Sequence, residues 1–160
     1  MLHRNTRHPE RKPDMNSPTN ADYAAFILRV TSGILFLAHG LTKVFVFTIP
    51  GTVGFFESLG LPAIIAYLTI LAEVGGGLAL ILGVATRLVS APLVLVLLGA
   101  AWAHAGNGWS FSAPGGGWEY PIFWAAAQVA IGLLGAGAFA LSPVFEGEFL
   151  GRPEVDIAFR

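Results

Sequence analysis

Four long apolar stretches, separated by short polar or glycine-rich connections, set the pattern of this chain. The stretches cover residues 23–47, 61–84, 88–105 and 120–141. Because about 20 residues rising 1.5 Å each cross a hydrocarbon core of about 30 Å, each stretch is long enough to span a bilayer. The pattern therefore predicts an all-α membrane protein, a four-transmembrane-helix bundle. The second and third helices should be antiparallel neighbours, since only residues 85–87 connect them.

Polar segments delimit this membrane domain at both ends. Residues 1–22 are rich in Arg, Pro, Asn and Ser, and they are predicted to form a disordered tail rather than a signal peptide. Residues 143–160 are predicted to be a second, short tail, which leaves 23–142 as the four-helix transmembrane domain. In the connection 48–60, the apolar residues after Pro50 and Gly51 are expected to form one short interfacial turn of helix.

The distribution of Lys and Arg predicts the orientation of the bundle. Four spans put both termini on one side, together with the connection that carries Arg87. If Arg29 snorkels towards that side, the side holds eight of the nine basic residues. The ninth is Lys43. The positive-inside rule then places the N- and C-termini in the cytoplasm.

Composition supports a membrane location and excludes several kinds of chemistry. The chain is 54% hydrophobic and 12% charged, which is about half the charged fraction of an ordinary soluble domain. The absence of cysteine excludes disulfides, iron–sulfur clusters and thiolate catalysis. The formal net charge of −1 by itself gives no information about a nucleic-acid partner, and none is expected. The lipid bilayer is the first partner of such a chain.

Glu73 is the polar residue that most demands an explanation. It lies in the middle of the second apolar stretch, where a carboxylate costs roughly 2.5–3.5 kcal/mol on insertion scales. Counted from the outer ends of the helices, Lys43, His39 and Glu73 lie at depths of about 7, 13 and 18 Å. We therefore expect these three side chains to lie close together. They form either a proton-exchanging site or an internal ion pair that fixes helix register.

Two more polar residues and a set of glycines complete the candidate positions. His104 and Glu119 should reach the outer half of the bundle, with simple interfacial stabilisation as the alternative. The candidates for ligand or proton handling are therefore His39, Lys43, Glu73, His104 and Glu119. Glycines on facing sides of the first two helices should let those helices pack closely: Gly33 and Gly40 against Gly76 and Gly83, with Gly77 alongside. No helical Glu-x-x-His pair supports a metal site, and none is expected.

Three segments resemble the DoxX family of small bacterial membrane proteins. They run from Arg29 to Lys43, from Glu73 to Arg87, and from Gly117 to Pro121. The resemblance implies a four-helix, multi-pass protein of the bacterial plasma (inner) membrane. Some relatives are linked to quinone-coupled sulfur oxidation or to oxidative-stress complexes.

Three functions stay open at this point. The first is an accessory or quinone-interacting subunit of a membrane redox system, catalytic only as part of a quinone-linked oxidoreductase. It would need a membrane or soluble redox partner, and quinone is the one cofactor expected. The second is a non-catalytic scaffold that recruits soluble partners. The third is a small-molecule or proton-coupled transporter; four helices are few for alternating access, though a homo-oligomer such as a dimer could suffice.

Overall fold

A computed structural model describes residues 17–141, and all regular structure within this range is helical. Apart from residues 17–22, the predicted tails lie outside the described residues. The elements are α1 (Asn20–Phe45), α2 (Ile49–Ser58), α3 (Ala63–Leu71), a π-helical turn (Ala72–Gly76), α4 (Gly77–Leu82), α5 (Thr86–Ala103), a 3₁₀ turn (Ala105–Asn107) and α6 (Glu119–Leu134). Three rods, Asn20–Phe45, Ala63–Leu82 and Thr86–Ala103, are long and apolar enough to cross a membrane. The fourth apolar helix, α6, is shorter.

The first helix begins three residues earlier than predicted. Thr19 and Asp22 form a capping box, in which Thr19 Oγ1 accepts from the Asp22 amide at 3.3 Å and Asp22 Oδ2 accepts from the Thr19 amide at 2.7 Å. These bonds satisfy backbone groups that the start of a helix leaves free. Residues 20–22 therefore belong to α1 and not to the predicted tail.

The second span is one rod of 20 residues, but it is not a regular α-helix throughout. The π turn from Ala72 to Gly76 separates α3 from α4, and Glu73 lies within it. The rod ends at Gly83, which adopts a left-handed conformation with φ 69°. The rod packs along α1, and α5 packs along α6. Between these pairs lies a core of Phe36, Leu80, Leu93, Leu97, Trp124, Ala125 and Ile131.

The fourth helix is shorter than predicted, because it ends at Leu134 instead of Leu141. Gly135 and Gly137 take positive φ values of 84° and 64°, which end the helix and direct the chain towards α1 and α4. The Ala138 amide donates to Asp22 O, and the Leu141 amide donates to Leu82 O, both at 3.0 Å. Residues 135–141, called here the closing segment, thus bridge the start of α1 and the end of α4.

The short helix predicted before the second span is ten residues long. Thr48 caps α2 by accepting from the Gly51 amide, and Pro50 occupies the first turn, where proline is tolerated. Thr52 Oγ1 donates to Lys43 O at 3.0 Å. This bond fixes α2 to the last turn of α1, next to the charged residues described below.

Candidate functional site

Lys43 and Glu73 form an ion pair between α1 and the π turn. Lys43 Nζ donates to Glu73 Oε1 at 2.8 Å. The Lys43 side chain is 19% exposed and the Glu73 side chain 6% exposed. Glu73 Oε2 is buried and has no hydrogen-bond partner among residues 17–141. The pair therefore offsets much of the cost of the mid-span acid, yet it leaves one carboxylate oxygen unsatisfied.

The π turn gives Glu73 its place on the rod. A π turn holds more residues than an α turn, so it shifts the faces of the helices that flank it, and such turns are frequent at functional sites. Gly76, inside this turn, leaves room for the Leu93 side chain of α5, which would lie 3.1 Å from a Cβ there. The irregular turn therefore lets the rod carry Glu73 to α1 while it packs on α5.

The predicted glycines lie at helix contacts, but not all with the expected partners. A Cβ on Gly33 would lie 2.7 Å from Gly77 O, and one on Gly77 would lie 2.8 Å from Gly33 O. Gly40 faces the Glu73 end of the rod, with Glu73 Cβ 3.1 Å from a Cβ there. Gly83 does not face Gly40; a Cβ there would lie 2.9 Å from Ala140 of the closing segment and 2.9 Å from the Arg29 guanidinium carbon. Close approach of the two rods therefore rests on Gly33, Gly40 and Gly77.

His39 lies against α6 rather than against the acid. Its ring centroid is 5.6 Å from that of Trp124, and the side chain is exposed on the outside of the bundle. It precedes Lys43 by one helical turn, so both side chains emerge from the same stretch of α1. The arrangement puts an imidazole and an indole beside the ion pair, on the surface that faces the surrounding medium.

His104 and Glu119 hold the connection before α6. His104 Nδ1 lies 3.1 Å from Gly115 O, and Asn107 Nδ2 donates to the same oxygen at 3.1 Å. Glu119 Oε2 accepts from the Phe111 amide at 3.1 Å. The hydrogen bonds of both residues are local to this connection. The structure therefore does not bring them to the Lys43–Glu73 pair.

Arg29 is fully buried and does not snorkel, so that prediction was wrong. Its guanidinium donates to four backbone carbonyls: Leu80 O and Ile81 O at 2.7 Å, Ala136 O at 2.6 Å and Ala138 O at 3.0 Å. The carbonyls come from the end of α4 and from the closing segment. Free carbonyls at the end of a helix carry partial negative charge, which stabilises a buried cation. Arg87, by contrast, is exposed beside the end of α6.

A buried polar network was missed by the sequence analysis. Trp124 Nε1 donates to Ser32 Oγ at 2.8 Å, and Ser32 Oγ donates to Gln128 Oε1 at 2.7 Å. Gln128 Nε2 then donates to Ser90 Oγ at 2.9 Å. Gln128 is the one strongly polar residue inside the fourth apolar stretch, but its partners are small hydroxyls of the kind that apolar helices often carry. The network joins α1, α5 and α6.

The fold and the site define an integral membrane protein, in which apolar helices enclose a charged pair and a buried arginine. The comparisons with known proteins agree. The model of the DoxX family matches residues 24–106, and the chain belongs to this family. It is also 34% identical over 133 residues to a Bacillus subtilis (strain 168) protein named "Putative oxidoreductase CatD"; the match covers 82% of this chain and 94% of that relative. No solved structure matches the chain significantly.

Proposed function

We propose that the chain is a quinone-interacting subunit of a redox system in the bacterial inner membrane. One observation carries the proposal: a lysine and a glutamate are paired within the apolar part of the bundle, and one carboxylate oxygen is left without a partner. Ionisable groups at such depth are expensive and are retained mainly where they act on a ligand, an ion or a proton. The relative named as an oxidoreductase supports a redox role.

The side chains around the pair fit a quinone headgroup. Lys43 supplies an ammonium that can donate to a ring oxygen, and its partial exposure makes it the reachable member of the pair. His39 and Trp124 add a polar ring and a flat aromatic face on the outside of α1 and α6. A headgroup arriving from the lipid would meet these residues first. When bound, the quinone supplies reversible transfer of two electrons and two protons.

The role proposed for the chain itself is to handle the proton. Glu73 Oε2 can accept a proton, while Lys43 holds the opposite charge 2.8 Å from the other oxygen. No group of three or more His, Cys, Asp or Glu residues that could hold a metal ion occurs in the described range. The chain has no cysteine for an iron–sulfur cluster. We therefore propose that a membrane or soluble partner supplies or accepts the electrons.

Binding of a quinone tests this function directly. The purified protein in detergent is titrated with tetramethylbenzoquinone, and binding is followed by calorimetry and by Trp fluorescence. We expect saturable binding that Lys43→Ala weakens at least fivefold. Glu57→Gln, at an exposed acid on α2, is the matched control and should bind as the natural protein does. Absence of saturable binding of both this quinone and its hydroquinone, or equal binding by Lys43→Ala, would remove the proposal.

The proposed topology has four spans, with both termini in the cytoplasm. In this arrangement α6 and the closing segment together make the fourth crossing. The non-helical carbonyls of Ala136 and Ala138 in the closing segment are tolerated at membrane depth, because Arg29 donates hydrogen bonds to them. Since the chain lacks cysteine, single cysteines at the exposed positions Ser17, Ser112 and Leu141 can be labelled one at a time. Only the Ser112→Cys variant should react with an impermeant maleimide in intact spheroplasts.

A non-catalytic scaffold is the second candidate, and the Ser32–Gln128 network favours it. Buried side-chain bonds that join three helices are what a rigid platform for partners needs. In a scaffold the Lys43–Glu73 pair would only fix the register of two helices. Quinone binding separates the two functions, because a scaffold requires none.

A further inference from the structure

The unsatisfied oxygen of Glu73 sets a condition on any ligand at this site. Glu73 is 5% exposed, and Oε2 has no donor among residues 17–141. Two donors at this end of α1 are used elsewhere: Lys43 Nζ donates to Oε1 at 2.8 Å, and the Thr52 hydroxyl donates to Lys43 O at 3.0 Å. A buried acceptor without a donor is costly, so a ligand that fills the place must bring a donor of its own.

We propose that the site binds the hydroquinone form of the carrier in preference to the quinone form. The proposal rests on the proposed function, and it names the redox form of the ligand. A hydroquinone hydroxyl can donate to Glu73 Oε2 and accept from Lys43 Nζ with the same oxygen atom. A quinone carbonyl only accepts, so it can bond Lys43 but leaves Glu73 Oε2 unsatisfied.

Lys43 is the more exposed member of the pair, so we expect a ligand to approach from its side. Lys43 is partly exposed, whereas Glu73 is buried behind it. Gly40 packs closely on the Glu73 end of the rod, where a Cβ would lie 2.7 Å from Val74 Cγ2 and 3.1 Å from Glu73 Cβ, so this side of the pair is closed. His39 stands exposed one turn away on α1. A hydroquinone ring that enters along Lys43 would therefore place its leading hydroxyl oxygen next to both Lys43 and Glu73.

The test compares two redox forms of one ligand, of which only the hydroquinone carries O–H donors. Tetramethylhydroquinone and tetramethylbenzoquinone are titrated by calorimetry, without oxygen, against the full chain in detergent. One unsatisfied buried acceptor costs about 1–3 kcal/mol, which corresponds to a preference of roughly 5- to 150-fold for the hydroquinone. The dimethyl ether of tetramethylhydroquinone has the same ring and no O–H, so it should bind no better than the quinone.

Glu73→Gln should reverse the preference. Its amide oxygen can still accept from Lys43, and its NH₂ group then faces the ligand as a donor, which suits a carbonyl. Glu57→Gln makes the same change at an exposed site and should leave the preference unaltered. Equal affinity for hydroquinone, quinone and dimethyl ether, or no change in Glu73→Gln, would overturn the inference while the proposed function stands. No binding of any of them would overturn both.

Discussion

Replacement of Arg29 by methionine is the sharpest test of how this bundle is held together. Methionine keeps much of the length and apolar stem of the side chain and removes the five N–H donors. Leu80 O would keep a second donor, the Gly83 amide at 3.1 Å. The carbonyls of Ile81, Ala136 and Ala138 would lose the guanidinium bonds seen in the structure.

The magnitude follows from these three carbonyls. Each buried acceptor left without a donor costs about 1–3 kcal/mol, which gives about 3–9 kcal/mol in total. Removal of a buried charge recovers part of this, because burying a cation is itself expensive. We therefore expect Arg29→Met to lower the free energy of unfolding by about 3 kcal/mol. Arg29→Lys should fall between Arg29→Met and the natural protein, since an ammonium cannot reach the same fork of acceptors.

The assay is equilibrium unfolding in mixed micelles, with sodium dodecyl sulfate as denaturant and helical circular dichroism as the signal. Hydrogen exchange adds a local readout: the Ala138 and Leu141 amides, which bond Asp22 O and Leu82 O, should lose protection first. Arg87→Met is the matched control, because Arg87 is exposed, and it should change stability by less than about 1 kcal/mol. An Arg29→Met protein as stable as the Arg87→Met protein would refute the reasoning.

The remaining predictions concern the helix contacts, measured by the same unfolding titration. Glu73→Gln should destabilise by about 2 kcal/mol, because a neutral amide leaves the buried Lys43 charge without an opposite charge, and the double variant with Lys43→Met should recover at least about 1 kcal/mol of this. Strict additivity would contradict the ion pair. Gly33→Ala should destabilise by about 1–3 kcal/mol, because its Cβ would lie 2.7 Å from a backbone oxygen. The control Gly99→Ala has open space around it and should be neutral or mildly stabilising. Equal effects of the two substitutions would refute the close contact. Gln128→Leu should cost about 1 kcal/mol through two lost side-chain bonds, and an unchanged stability would show that the network contributes nothing.

The helices were predictable from sequence because lipid imposes a simple requirement. A chain that crosses the bilayer must satisfy its backbone internally and present apolar side chains outward, so each span appears as a long apolar run. The Lys43–Glu73 pair was foreseeable for the same reason, since few charges enter such runs and those at similar depth tend to pair. The family resemblance, which rested on segments containing these residues, is confirmed.

The role of Arg29 was not predictable from the same signals. Its acceptors are backbone carbonyls, which every residue carries, and two of them belong to Ala136 and Ala138, more than 100 positions away. Nothing in the residue types Ala and Leu marks them as partners of an arginine. The early end of α6 was not predictable for a similar reason. Glycines are common in membrane helices, so Gly135 and Gly137 alone do not indicate that the helix ends there.

The two ends of the contact between α1 and the second rod now suggest how structural and functional charges can be told apart. Arg29 at one end donates to four acceptors, so no ligand is required to complete its environment. Glu73 at the other end is also buried, but one of its carboxylate oxygens has no hydrogen-bond partner among residues 17–141. A closed set of bonds is what stability alone would select, whereas an open buried acceptor lowers stability unless something else occupies it. It follows that Arg29 variants should change unfolding without changing the choice between hydroquinone and quinone, while Glu73→Gln should change that choice.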